Sequence, residues 1–140
     1  MNRIILASHG GMSAGMKDTV EMILGELPNL YAVATTRDET ESILETVRRL
    51  LAGFAPEDRV YILTDVLGGS VNNHMLMLLR ERPDLTIICG MNICLAINLA
   101  TSDGPVSEEE LKEFIAQARE QIMNCTELVN EADMDEEDDL

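Results

Sequence analysis

The chain has 140 residues, 46% of them hydrophobic, which is the size and composition of one domain with a substantial core. Its formal charge is −16, from 26 acidic and 10 basic residues, and a surface of that sign repels nucleic-acid backbones and anionic lipid heads. Three cysteines without C-x-x-C spacing argue against a disulfide scaffold or a zinc site and fit a reducing, cytoplasmic setting.

The first predicted element is an apolar, β-branched strand over Arg3–Ser8 that runs directly into His9-Gly10-Gly11. That stretch is too short for a secretory leader, and no later segment reaches the ~18 consecutive apolar residues of a membrane span. Met16, Val20, Ile23, Leu24 and Leu27 then form a helical stripe stopped by Pro28. A second strand is predicted over Leu30–Thr35. It is followed by a helix carrying Ile43, Leu44, Val47, Leu50, Leu51 and Phe54, opened by Asp38 with Glu41 three residues on and closed near Gly53.

The third strand, Arg59–Asp65, leads into Gly68-Gly69-Ser70 and a helix from about Ser70 to Arg82, with Pro83 beyond it. A fourth strand over Leu85–Gly90 precedes a short helix after Asn92. Asp103-Gly104-Pro105 turns the chain into a fifth helix with the capping box Ser107-x-x-Glu110 and a stripe of Leu111, Phe114, Ile115, Ala118 and Ile122. From about Asn130 the chain is a block of acids with little to bury, expected to be a disordered tail over 130–140 behind a folded domain over 1–129. Aromatic residues are only 3% and Trp is absent, so the nine methionines and many leucines must fill the interior.

Strands that are apolar throughout, rather than alternating, belong to sheets covered on both sides. Their alternation with helices predicts an α/β fold: a doubly wound, mostly parallel sheet of order 2-1-3-4 with helices on both faces. Ligands of such sheets collect at the carboxyl ends of the strands where strand order reverses, here between strands one and three. His9 and Asp65 end those two strands. An imidazole nitrogen, neutral near physiological pH, can attack phosphorus and later release it. A carboxylate on the other ring nitrogen would fix the tautomer and aim the ring. Gly68, Gly69 and Ser70 open a helix whose N–H groups can approach an anion, and Gly10 offers the same on the opposite wall.

Plainer roles exist for each residue. His9 could simply be exposed, Asp65 could cap a helix, and Gly68-Gly69 could be a tight turn. Ser8, Asn73 and Asn92 could reach the pocket, although capping is the simpler role for the two asparagines. His74 reads as exposed or partner-facing, and Cys94 as packing. The full phosphate-loop motif with its lysine is missing, which makes nucleotide hydrolysis unattractive. No cluster of acids has metal-ligand spacing, so neither metal nor cofactor is expected.

At Ser8-His9-Gly10, at Thr64-Asp65-Val-Leu-Gly68-Gly69-Ser70-Val-Asn-Asn73 and at Gly90-Met-Asn92-Ile93, the chain resembles the IIA domain of the mannose/fructose/sorbose family of the bacterial sugar phosphotransferase system. The resemblance runs from residue 1 to about 125. It implies that His9 is phosphorylated by the histidine-containing phosphocarrier HPr and passes the group to a IIB subunit for sugar uptake. It further implies that Asp65 is the carboxylate beside that histidine and that Gly68, Gly69 and Ser70 hold the phosphate. The family is typically homodimeric, with a last antiparallel edge strand near the dimer interface. Cys125–Val129 could supply that strand or extend the fifth helix.

Two departures stand out: Cys94 replaces a proline common in relatives, and the chain ends in acids rather than an Ala/Pro-rich linker. The second suggests a separate IIB chain, with this protein peripheral to the membrane subunits IIC and IID through IIB. The alternative is a non-catalytic or regulatory α/β module that binds a small anion at the strand-end cleft.

Overall fold

The computed structural model describes residues 1–138. β1 (Asn2–His9), β2 (Leu30–Thr35), β3 (Arg59–Thr64) and β4 (Thr86–Ile88) form one parallel sheet of order β2-β1-β3-β4. The helices between and after them are α1 (Met12–Leu24), α2 (Ile43–Ala52), α3 (Ser70–Met77), α4 (Ile93–Ala100), α5 (Glu108–Glu120) and α6 (Cys125–Asp138). This is the doubly wound α/β sheet expected from the alternation of apolar runs and helical stripes.

Strand side chains alternate between two cores. On one face Ile4, Leu6, Tyr61 and Leu63 pack with Val20 of α1, Leu95 and Leu99 of α4 and Ala118 of α5. On the other, Ile5, Ala7, Val60 and Ile62 pack with Val47 and Leu51 of α2 and Val71 and Met75 of α3. β1 is central, pairing Ile5 with Tyr31 on one side and with Ile62 on the other.

Polar side chains close the amino-terminal edge of the sheet. Asn29 donates to the carbonyls of Asn2 at 3.0 Å and Ala100 at 3.1 Å. Asn2 in turn donates to the carbonyls of Ser102 and Gly104 at 3.1 and 2.8 Å. Arg3 donates to Asp58 at 3.0 Å and to the Tyr31 hydroxyl at 2.8 Å, with its guanidinium over the Phe54 ring. These bonds hold the sheet at the end opposite His9, so the carboxyl edge is left for chemistry.

Several boundaries differ from the sequence-based expectation. α2 is capped by Ser42, whose hydroxyl accepts from the Glu45 N–H at 3.2 Å, not by Asp38. The same Ser/Thr-x-x-Glu grammar sits one helical turn later, where the backbone of Ser42 is extended. α1 stops at Gly25, with φ +84°, three residues before Pro28, and Ile23 and Leu24 turn outward while Val20 is fully buried. α3 tightens after Met77 into a 3-10 turn over Leu78–Arg80.

The larger correction is the tail. Residues 125–138 form α6 where disorder was expected from Asn130 on, and residues 139–140 lie outside the described residues. The Asn124 side chain accepts from the N–H groups of Thr126 and Glu127 at 3.1 and 3.3 Å, an N-cap ahead of several good helix formers. An acidic block has little to bury, but a cap and helix propensity act locally and need no burial. Among the described residues there is no fifth, antiparallel strand.

Leu63 is fully buried and Ile122, assigned to the α5 stripe on spacing, is 86% exposed beyond the helix end. In urea titrations Leu63→Ala is therefore expected to lose about 2–5 kcal/mol and Ile122→Ala to stay within about 0.5 kcal/mol of the parent.

Candidate active site

Ala7↔Thr64 is the last pair of β1 with β3, and β1 runs two residues further, to His9. After His9 the chain must turn at once into α1, and Gly10 does so with φ +56°, its N–H donating to the Thr35 carbonyl at 2.9 Å. The turn is pinned from below. The buried Ser8 hydroxyl accepts from the Ser13 N–H at 2.8 Å, and Ser13 donates to the Val33 carbonyl at 2.8 Å. Ser8 therefore anchors the start of α1 and does not open into a pocket.

Past Thr64, the loop over 65–69 returns to α3 through Gly68, with φ +78°. A Cβ on Gly69 would lie 3.2 Å from the Val66 carbonyl oxygen and 3.7 Å from Cε1 of His9. A side chain at 69 would therefore crowd the Val66 carbonyl and come into contact with the ring.

Asp65 and Ser70 grip the imidazole from its two nitrogens. Asp65 Oδ2 lies 2.7 Å from His9 Nδ1 and also accepts from the His9 backbone N–H at 2.8 Å. Its Oδ1 accepts from the Val66 N–H at 2.9 Å. Nε2 lies 3.0 Å from the Ser70 hydroxyl. Burial pushes the Asp65 carboxyl up, but the His9 N–H, the His9 ring, the Val66 N–H and the charge of His9 outweigh it and hold the group below the ordinary value of 3.8. An ionised carboxylate can only accept, so Nδ1 carries a proton, and in the neutral form of the ring Nε2 is the nitrogen left with a lone pair, toward Ser70. The imidazole is 50% exposed while the Asp65 side chain is 6% exposed, so a buried carboxylate aims an accessible nitrogen.

Gly69 is the N-cap of α3, and no side chain caps the helix, so no side-chain acceptor satisfies its first-turn N–H groups beside His9. Asn73 braces the same turn, donating to the Gly68 carbonyl at 3.3 Å. Asn92 commits both ends of its side chain elsewhere: it accepts from the Leu95 N–H at 3.1 Å and donates to the Ala118 carbonyl at 3.4 Å. It caps α4 and ties it to α5. His74 is exposed on α3, one turn from the site.

Sequence reasoning did not single out a groove of about 850 Å³ that runs from His9 and Gly10 along Thr35, Thr36 and Arg37. Nor did it find Thr64 and Asn72, which hydrogen-bond beneath the loop at 2.7 Å. Both arise from contacts between segments that no local pattern connects. Among the described residues no group of His, Cys, Asp or Glu is arranged to hold a metal, and no helix is long and apolar enough to cross a membrane.

The family model described as PTS system fructose IIA component matches residues 3–119. The chain belongs to this family. It is 30% identical over 112 residues to a sorbose-specific EIIA component of Klebsiella pneumoniae, covering 79% of this chain and 82% of that one. It is 24% identical to a fructose-specific EIIA component of Bacillus subtilis, covering 91% and 88% of the two chains. Among solved structures, the PTS IIA protein associated with the fucose utilization operon of Streptococcus pneumoniae superimposes with a TM-score of 0.74 at 28% identity, covering 91% of this chain and 96% of that one. The protein is thus a IIA component of a sugar phosphotransferase system, and the His9–Asp65–Ser70 constellation stands at the carboxyl edge of its sheet.

Because Asp65 is held below its ordinary value, its contribution to stability is complete above that value and is lost as pH falls through the lowered one. Asp65→Asn is expected to destabilise this IIA component by about 1–3 kcal/mol at pH 7. Chemical denaturation of both proteins on a pH series should show the gap constant down to about pH 5 and closing below pH 3.8.

Proposed function

We propose that His9 is the phosphoryl carrier of this IIA component and that the group resides on Nε2. The observation that carries the reading is the division of the ring: Nδ1 is bound to a buried carboxylate, while Nε2 faces accessible space beside an uncapped helix start. The Nε2 lone pair attacks the phosphorus of a phosphohistidine on an HPr-type phosphocarrier. The new N–P bond forms as the donor's N–P bond breaks, and the donor's imidazole takes back the electron pair. Nδ1 keeps its proton throughout, and the Asp65 charge offsets the positive charge that phosphorylation places on the ring.

Ser70 turns its hydroxyl from Nε2 to a phosphoryl oxygen, and the first N–H groups of α3 donate to the others. In the second half-reaction a IIB acceptor attacks the same phosphorus and regenerates the free imidazole. Met12 at the start of α1 and Val66 and Leu67 on the loop after β3, at 47%, 60% and 76% exposure, suit a protein rather than a small metabolite as the exchange partner. The acidic surface favours a partner with a basic or neutral face. We place this exchange in the cytoplasm and assign the protein a homodimeric state, supported by the exposed apolar residues Met22 and Ile23 of α1 and Leu128 and Val129 of α6.

The open start of α3 also suits a second reading, a module that binds a small anion without covalent transfer. Intact-mass measurement after mixing with phosphoenolpyruvate and the general phosphocarrier proteins separates the two. One added phosphate on the parent, none on His9→Ala, and labelling slowed about 10²-fold in Ser70→Ala are the expected results. An unlabelled parent that still binds inorganic phosphate would leave only the anion module. Sedimentation velocity is expected to give a dimer, and a monomer at micromolar concentration would remove that assignment.

A further inference from the structure

The Thr64 hydroxyl donates to Asn72 Oδ1 at 2.7 Å, and the two residues are 0% and 3% exposed. A buried polar pair of this kind adds little net stability over an apolar pair of the same shape. The other buried polar side chains have evident structural work: Asn2, Asn29 and Asp58 close the far edge of the sheet, and Ser8 and Ser13 pin α1. The Thr64–Asn72 bond lies elsewhere, across the stem of the loop that holds the imidazole.

Thr64 is the last residue of β3 and immediately precedes Asp65, while Asn72 lies two residues after Ser70 in the first turn of α3. The intervening loop contains two glycines, one at φ +78°, and would by itself leave the spacing of its ends loose. Yet Asp65 and Ser70 must sit on opposite sides of one rigid ring, at 2.7 Å from Nδ1 and 3.0 Å from Nε2. The Thr64 carbonyl also accepts from the Met91 N–H at 2.9 Å, so the strand side of the stem is anchored to the next segment of the fold.

We propose that the buried Thr64–Asn72 hydrogen bond is a positioning clamp that sets the spacing of Asp65 and Ser70 across His9, and through it the tautomer and aim of Nε2. The inference rests on the phosphoryl-carrier reading for its consequence, but its geometry is testable in the unphosphorylated protein. Neither residue touches the reacting atoms. Both act through Asp65 and Ser70.

The test compares the parent with Thr64→Val, Asn72→Leu, the double variant and Thr64→Ser, each verified as folded by its amide NMR fingerprint. Ring-nitrogen NMR of His9 is expected to show a single Nδ1–H tautomer with a slowly exchanging proton in the parent and in Thr64→Ser. Thr64→Val, Asn72→Leu and the double variant are expected to show mixed tautomers and rapid exchange. In single-turnover transfer from the phosphorylated donor, those three variants should lose about tenfold or more in maximal rate with little change in half-saturation, and Thr64→Ser should be restored.

An apolar double variant with the parent's ring signals and transfer rate would overturn the clamp and leave the carrier reading intact. A parent that takes no phosphate, with ring signals still dependent on Thr64 and Asn72, would overturn the carrier reading and leave the clamp. If Thr64→Val fails to fold, Asn72→Ala removes the acceptor from the helix side and is read against the same two outcomes.

Discussion

One carboxylate oxygen of Asp65 receives two N–H groups from the same residue, the backbone and the ring of His9, at 2.8 and 2.7 Å. This double acceptance ties the end of β1 to the loop after β3, and it fixes the ring's rotation together with its backbone. With the ring so held, the position of Nε2 follows from the strand register together with the loop that carries Asp65 and Ser70. A carboxylate reaching only the ring would leave the imidazole free to swing with the glycine turn behind it. The double bond also explains why a mostly buried acid remains ionised: three N–H donors converge on it and replace the water it has lost.

The sheet divides its polar chemistry between its two edges. At the amino-terminal edge, Arg3, Asp58, Asn2 and Asn29 satisfy one another and the carbonyls of distant loops, so that edge is closed. At the carboxyl edge no side chain caps the donors of α3, and Nε2 is met only by the exposed Ser70 hydroxyl, a cost to the fold and a condition for binding an anion. The same asymmetry follows from the parallel topology. Every strand delivers its last residue to one side of the molecule, and every following helix starts there with its positive end.

The strongly acidic composition has a local side as well. Among the described residues, Arg3, Lys17, Arg48, Arg49 and Arg82 are engaged in ion pairs with carboxylates of the chain. The chain carries a net charge of −16, while apolar Val66 and Leu67 stand out next to His9.

The strand order, the two-core packing and the meeting of His9 with Asp65 were legible because apolar runs with no polar face permit little but a covered parallel sheet, and such a sheet sends its strand ends to one edge. The glycines at 10 and 68 were legible for a similar reason, since turns that abrupt need a positive φ. The cap of α2 at Ser42, the outward turn of Ile23 and the helix at 125–138 were not, because several local patterns compete there and small differences in capping and burial choose among them. Capping by Asn92 was legible, but its bond to the Ala118 carbonyl, 26 residues on, and the roles of Ser8, Thr64 and Asn72 were not, because their partners are chosen by how the turns pack. The amino-acid order determined which residues arrive at the edge. Only the packed structure decided which of them face the imidazole and which hold the others in place, because hydrogen-bond partners of buried polar groups are set by the final geometry and not by spacing along the chain.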